Sequence, residues 1–284
     1  MNCDLFSVKD KIAVVTGGGG ILCKSMAKAL AMHGAKVAIL DLRKEASEAA
    51  ASEIVAEGGI AIGLECNVLV KDSLETACAA IIKEYGKIDI LVNGAGGNSP
   101  KATTSKETLQ PEDLNQVIEG VKTFFDLDPD GVQFVFNLNF LGTLLPTQVF
   151  GRVIAEQGGG VILNVSSMNA FRPLTKIPAY SGAKAAISNF TQWLATHFAP
   201  VNVRVNAIAP GFFLTDQNRF LLTDKETGAL TPRGNTILTH TPMAKFGEPE
   251  DLNGTLVWLC SEASAFVTGI VVPVDGGFSA FSGV

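Results

Sequence analysis

Lys11-Ile12-Ala13-Val14-Val15-Thr16-Gly17-Gly18-Gly19-Gly20-Ile21 is an apolar run that breaks into four glycines and then into a helical pattern. A continuous run of this length fits a strand buried on both faces. The glycines permit a tight turn and let a pyrophosphate approach the backbone. A helix opening near residue 21 adds free N–H groups and the positive end of its dipole. A Gly-rich turn can also be a plain turn. Its place after the first strand of a strand–helix–strand unit is what points to a dinucleotide. The second strand, Lys36-Val37-Ala38-Ile39-Leu40-Asp41, ends on an acid. A carboxylate at Asp41 can accept hydrogen bonds from ribose hydroxyls and repels a 2′-phosphate, so it favours NAD over NADP. The bland alternative is a cap for the helix at 43–57. Arg43 lies close enough to soften the preference.

Outward from this unit, the alternation continues. Strands are predicted at 60–65 and 88–93, and helices at 71–85 and, after a break, 132–157. Further strands fall at 161–165, 201–208 and 270–274, with helices at 178–198 and 248–261. Strand alternating with helix implies a parallel sheet with crossover helices, so the fold class is α/β. We expect one doubly wound domain over 1–284 with about seven parallel strands and helices on both faces. Two stretches interrupt it. Residues 97–131 are polar and contain Pro100, Pro111, Pro129 and Gly131, and 212–247 is also irregular. Long irregular segments in compact domains are usually functional loops or mobile. The first is read as an insertion, either a lid or a subunit contact, and the second as a substrate lid.

Composition bounds the function. Of 284 residues, 47% are hydrophobic, 18% charged and 29 are Gly, and the mean hydropathy is +0.28. Average usage is roughly 25% charged and about 7% Gly. Such a chain is not disordered, and no stretch approaches the roughly 18 apolar residues that span a bilayer. A net charge of -6 without a dense Lys/Arg cluster argues against nucleic acid. Five cysteines with no CxxC suggest free thiols in a reducing cytoplasm. His33, His197 and His240 are scattered, so no metal site is expected. No signal-peptide pattern is visible at the N-terminus.

A second constellation carries chemistry. In Tyr180-Ser181-Gly182-Ala183-Lys184, the Tyr and Lys lie four apart on a predicted helix, hence on one face. A phenol has a reference pKa of roughly 10. A nearby ammonium and a positive nicotinamide ring lower it and make Tyr an acid/base group. Ser167 lies just past a strand end, where open α/β sheets place their sites. An exposed Tyr–Lys pair is the ordinary alternative.

Together, the Gly-rich turn, Asn93-Gly94-Ala95-Gly96, Asn139, Ser167, the Tyr180/Lys184 pair, Pro210-Gly211 with Thr215, and Asp275-Gly276-Gly277 resemble the short-chain dehydrogenase/reductase family over essentially the whole chain. The resemblance implies a seven-stranded Rossmann sheet and hydride transfer between nicotinamide and a carbonyl or carbinol carbon. Tyr180 would be the acid/base. Lys184 would lower its pKa and hold the nicotinamide ribose. Ser167 would orient the substrate oxygen, and Asn139, rather than nearby Asn137, would anchor a proton-relay water. Gly17, Gly19, Gly20 and Ile21 would meet the pyrophosphate. Asn67 and Val68 would meet the adenine, and Asn93, Ala95 and Gly96 would pack beside the adenosine. Pro210 and Thr215 would border the nicotinamide, with Thr215 on the carboxamide. The family's usual turn has Gly where Ile21 and Cys23 stand, Asp where Asn67 stands, and Asn where Gly94 stands. Those departures bear on cofactor contacts and leave the catalytic groups in place. A cytoplasmic homotetramer is also implied.

Within the family, the stretches at 94–104, 166–175 and 210–219 are similar to the D-mannonate oxidoreductase subgroup, which interconverts D-mannonate and D-fructuronate. A sugar acid needs hydrogen-bonding groups and a cationic partner for its carboxylate. Asn98, Asn169, Gln217 and Asn218 are candidates for the hydroxyls, and Lys101, Arg172 and Arg219 for the carboxylate. Arg172 is preferred because it follows the Ser167 strand end closely. A solvated loop residue is the alternative for each. Competing functions are another polyol or sugar dehydrogenase of the gluconate 5-dehydrogenase type, a 3-oxoacyl carrier-protein reductase, and a non-catalytic nucleotide sensor.

Overall fold

Ile12–Thr16 (β1) is buried at every position, and its residues divide between two cores. Ala13 and Val15 belong to one apolar cluster, Ile12 and Val14 to the other. The same division holds for Val37 and Ile39 against Ala38 and Leu40 in Lys36–Asp41 (β2). Successive side chains point to opposite faces of a strand. A continuous apolar run is therefore two core stripes superposed, which is why these segments show no alternation.

A computed structural model describes residues 5–114, 120–214, 222–224 and 227–283. The remaining strands are Ile60–Glu65 (β3), Ile90–Asn93 (β4), Gly160–Val165 (β5), Val203–Pro210 (β6) and Val271–Val274 (β7). All seven pair in parallel in the order β3-β2-β1-β4-β5-β6-β7. This is a single-domain Rossmann-like sheet with helices on both faces. Ile21–Met32 (α1) and Lys44–Ala56 (α2) contribute Met26, Leu30 and Ile54 to one core. Lys71–Tyr85 (α3), Gly142–Glu156 (α5) and Pro178–Phe198 (α6) contribute Ile81, Phe150 and Leu194 to the other. The chain leaves β1 toward β2 and β3, then returns to the other side of β1 at β4. That reversal opens a crevice above the C-terminal ends of β1 and β4, where open α/β sheets bind ligands.

Three predicted segments differ. The helix expected over 132–157 is interrupted. Pro129–Phe136 (α4) runs into a π-helical turn, Asn137–Leu141, before α5 begins. The amide of Asn139 explains the widening, because its Nδ2 donates to the Val135 carbonyl at 2.8 Å, an oxygen that a regular helix would offer to the backbone of residue 139. Irregular 212–247 contains a helix, Pro232–Thr239 (α7). Thr231 caps it by accepting from Gly234 N, and Pro232 sits in its first turn. Thr-Pro before a short apolar pattern is a helix-start signal that the Pro/Gly content obscured. The final helix starts late for a related reason. Pro249–Leu252 is a 3₁₀ turn, and the α-helix is Asn253–Cys260 (α8).

Among the described residues, no helix is long and apolar enough to cross a membrane.

Candidate active site

Thr16, the last residue of β1, joins the two glycine turns. Its hydroxyl accepts from Gly94 N at 3.0 Å and Ala95 N at 3.2 Å. Gly17 has φ +65°, and a Cβ there would lie 2.9 Å from the Ala95 Cα, so this turn needs glycine for conformation and for space. The departures from the family pattern at Cys23 and Gly94 prove to be one feature. A Cβ on Gly94 would lie 2.3 Å from Cys23 Sγ. The thiol fills the volume that the missing side chain at 94 leaves. Burial pushes the Cys23 thiol up to about 12, so it is a packing group rather than a thiolate.

Helix α1 begins with no side-chain cap on its N-terminus and no acid in its first turn. Its leading N–H groups are thus left for an anion. Asp41 does more than end β2. Its Oδ2 accepts from Gly19 N at 3.1 Å, and its Oδ1 accepts from Arg43 N at 3.0 Å. The carboxylate braces the turn it faces, and the Arg43 guanidinium lies 3.7 Å away. These residues fit a dinucleotide: an uncapped helix start, a cradle that side chains would fill, and an acid at the second strand. Asn67 Oδ1 accepts from Leu69 N at 3.0 Å, Val68 is buried beside it, and Gly20 serves as the residue before Ile21 in α1. Pro210 ends β6. Thr215 lies outside the described residues, as do Gln217, Asn218 and Arg219.

The proton-handling residues converge at the ends of β4 and β5. Lys184 is buried and its Nζ donates to the Val165 carbonyl at 2.8 Å. The same ammonium stands 5.6 Å from the centroid of the Tyr180 ring. A Cβ on Gly96 would lie 2.7 Å from Asn139 Oδ1 and 3.2 Å from Lys184 Nζ, so all three meet at one point. Asn139 is fully buried, and its Nδ2 also donates to the Gly97 carbonyl at 2.7 Å. Ser167 caps a 3₁₀ turn, Met168–Ala170, and its Oγ accepts from Asn169 N at 3.2 Å. That bond occupies a lone pair and leaves the hydroxyl hydrogen to be donated.

The electrostatics correct one expectation. Burial pushes the Tyr180 phenol up to about 12, and a hydrogen bond with Ser167 opposes this. Burial holds Lys184 down to about 8. Desolvation therefore outweighs the Ser167 hydrogen bond at Tyr180 in the protein by itself. Lowering the phenol pKa requires positive charge from a bound group.

The substrate candidates fare differently. Lys101 is paired with Asp128 at 3.3 Å, and Asn98 donates to Thr103 Oγ1 at 3.0 Å. Asn169 is buried, and its Oδ1 has no partner among the described residues. Arg172 is exposed. Its Nε donates to the Ser279 carbonyl at 3.1 Å, and no carboxylate pairs with it among the described residues. Around these residues, Thr104 N donates to the Lys176 carbonyl at 2.9 Å, and Glu107 meets Arg233 of α7 at 3.5 Å. Residues 97–131 and α7 are thereby joined. Sequence reasoning missed Asn164 and Thr191, which support this site from below. A lone polar residue inside the apolar run Val161-Ile162-Leu163-Asn164-Val165 was the available signal.

Comparison with known proteins matches residues 20–279 to a family model described as enoyl-(acyl carrier protein) reductase. An uncharacterised oxidoreductase of Haemophilus influenzae is 56% identical over 279 residues, spanning 98% of this chain and 96% of its own. A 2-dehydro-3-deoxy-D-gluconate 5-dehydrogenase of Formosa agariphila is 33% identical over 284 residues, spanning 100% and 98%. A Haemophilus crystal structure with bound NAD, provisionally assigned as a D-mannonate oxidoreductase, superposes with a TM-score of 0.91 at 55% identity over 98% of each chain.

Proposed function

Because this chain belongs to the short-chain dehydrogenase/reductase family, we propose that it moves a hydride between NAD and a sugar acid, with D-mannonate and D-fructuronate as the pair interconverted. The observation that carries the reading is the meeting of Asn139, Tyr180 and Lys184, with Ser167 bonded to Tyr180, at the strand ends beside the uncapped α1. Bound there, the dinucleotide supplies or accepts the hydride and, when oxidised, brings a positive charge. Gly17, Gly19, Gly20 and Ile21 would hold its pyrophosphate, and Asp41 its ribose. Asn67, Val68, Asn93, Ala95 and Gly96 would border the adenosine side, and Pro210 and Thr215 the nicotinamide side.

Ser167 donates to the substrate oxygen. Tyr180 gives that oxygen its proton in reduction and removes it in oxidation. A phenol held near 12 is fully protonated at neutral pH, which suits the donor role. Lys184 replenishes the proton through a water anchored by Asn139. Arg172 is favoured for the substrate carboxylate, since its guanidinium keeps its terminal donors while Nε is fixed. The buried Asn169 Oδ1 is suited to accept from a substrate hydroxyl. Asn98, Lys101, Gln217 and Arg219 are retained as weaker contributors. Residues 97–131 and 212–247 form the cover of the substrate side. The exposed Trp193 stacked on His197 supports the homotetramer, because burial of that face would remove aromatic surface from water. A cytoplasmic location completes the reading.

The test is NADH oxidation with D-fructuronate, run beside NADPH and a panel of hexuronates and uncharged ketoses. Activity on the acid supports the reading. Good turnover of an uncharged ketose with none on the acids overturns it. A gluconate-type keto acid is the second reading, favoured by the Formosa relative, and the same panel separates the two.

A further inference from the structure

Six buried polar residues tie the two catalytic helices to the sheet through a pair of bonded amides. Asn93 Nδ2 donates to Thr147 Oγ1 on α5 at 3.0 Å and to Asn164 Oδ1 on β5 at 2.9 Å. Asn164 Nδ2 donates to Thr191 Oγ1 on α6 at 2.9 Å. Each hydroxyl then spends its hydrogen on its own helix. Thr191 donates to the Ile187 carbonyl at 2.8 Å, Thr147 to Thr143 O at 2.8 Å, and Thr143 to Asn139 O at 2.9 Å. The chain of bonds runs unbroken from the backbone of Asn139 to the turn of α6 that follows Lys184. All six side chains are buried: Asn93, Asn139, Thr143, Thr147, Asn164 and Thr191.

The directions are fixed. Asn93 Nδ2 donates to residue 164, and the Thr191 hydrogen is already committed to Ile187, so residue 164 must accept on one side and donate on the other. An amide does both through separate atoms on one rigid plane. The arrangement also carries a cost. Among the described residues Asn93 Oδ1 is buried without a donor, about 1–3 kcal/mol that an apolar joint would not incur. Apolar contact alone would hold α5 and α6 on the sheet, but it is non-directional and leaves their axial register loosely set. Directional bonds set it.

We propose that Asn164, acting on α6 through Thr191 and on α5 through Asn93 and Thr147, is a positioning residue that fixes the register of Asn139 against Tyr180 and Lys184. This rests on the oxidoreductase reading above. Displacement of a catalytic group by about 1 Å can cost on the order of 10²-fold in rate. Thr191→Val and Thr147→Val each remove one hydroxyl, with its accepted bond and its donated bond, while keeping shape. Both should lower kcat by roughly 10- to 100-fold, leave NADH affinity within about twofold, and move the pH at which reduction declines. The double variant should lose less than the product of the two, because both act through one joint. Asn164→Asp replaces the donor with an acceptor. Its kcat should fall further and recover as pH drops, when the protonated carboxyl regains an O–H donor. Folding is checked for each by thermal unfolding. Should Asn164→Asp fail to fold, the two Thr variants carry the test. Unchanged kcat and pH profile in both Thr variants, with only the melting temperature lowered, would overturn the positioning role. Absence of turnover in the parent protein on every carbonyl tested would instead remove the reading beneath it.

Discussion

Between Ile12 and Glu65 the molecule is built from short connections and strands whose side chains have one place to go. Among the described residues of 97–131 and 212–247, it is built from turns, ion pairs and contacts to small satellite cores. Leu222, Ile237 and Phe246 make one such core beneath α7, and Ala102, Val135, Ala179 and Ala183 make another beside Tyr180. The first region is held by close packing, the second by a few polar contacts around modest apolar clusters. One presents a fixed surface suited to an invariant ligand half. The other can vary its residues at little cost, which is where substrate choice belongs. A single change should therefore do different damage in each, and the expected effects can be ranked.

Tyr180→Phe should do most. It lies on the boundary between the regions, and loss of the acid/base group should lower turnover by about 10²- to 10⁴-fold while NADH binding stays near normal, as read by steady-state rates and fluorescence titration. Near-normal rates would remove Tyr180 from the chemistry. On the variable side, Arg172→Ala should raise KM for a sugar acid by roughly 10- to 100-fold, the worth of a charged hydrogen bond of about 1.5–3 kcal/mol. KM for an uncharged ketose should scarcely move, and equal effects on both would place the carboxylate elsewhere. On the packed side, Gly94→Ala drives a methyl into Cys23 Sγ. Overpacking of this kind costs about 1–3 kcal/mol, so thermal stability and dinucleotide affinity should both fall, and adding Cys23→Gly should restore them in part, since the Thr16 carbonyl oxygen also lies 2.9 Å from the added carbon. If the second change gives no relief, the two positions are not coupled. The pH dependence tests the boundary again. Lys184 is held at about 8, so it is cationic below that pH and neutral above it. The rate of reduction should hold through neutrality and decline above about pH 8, whereas oxidation, which needs the phenolate, should rise with pH. The smallest effect belongs to Glu107→Ala, which removes an exposed ion pair to Arg233 worth about 0–1 kcal/mol. A large loss of activity there would mean that the cover closes through that contact.

How much could be read in advance followed the same division. β2, β3, α3 and α6 were visible to the residue, because sheet burial and amphipathic periodicity are local in sequence. Asn139, Ser167, Tyr180 and Lys184 were recognisable as a set, and they do lie together. What could not be read depended on contacts from afar. The π turn exists because Asn139 reaches Val135 and Gly97 at once. The pairing of Cys23 with Gly94 joins positions from different strand–helix units, so each looked like a separate irregularity. The Tyr180 pKa moved opposite to expectation because desolvation is set by everything packed around the phenol, which spacing along a helix does not reveal. Lys101 is paired with Asp128, a partner too distant in sequence to be read from its neighbours.

The π turn at Asn137–Leu141 has a consequence for insertions and deletions. A π turn holds one residue more than the regular helix it interrupts, so the segment from Pro129 to Glu156 carries a surplus residue. Removing one residue there would let the backbone close into an unbroken α-helix. Because the π turn absorbs the surplus locally, the side chains of α4 and α5 would keep about their present facing, and only the turn itself would be rebuilt. The core packed by α5, Phe150 and Ile154 among it, has little stake in that change, but the Asn139 amide would lose the reach to Gly97 that sets it beside Lys184. The helix could thus become more regular by losing an amino acid, and the protein would lose its proton path in becoming so.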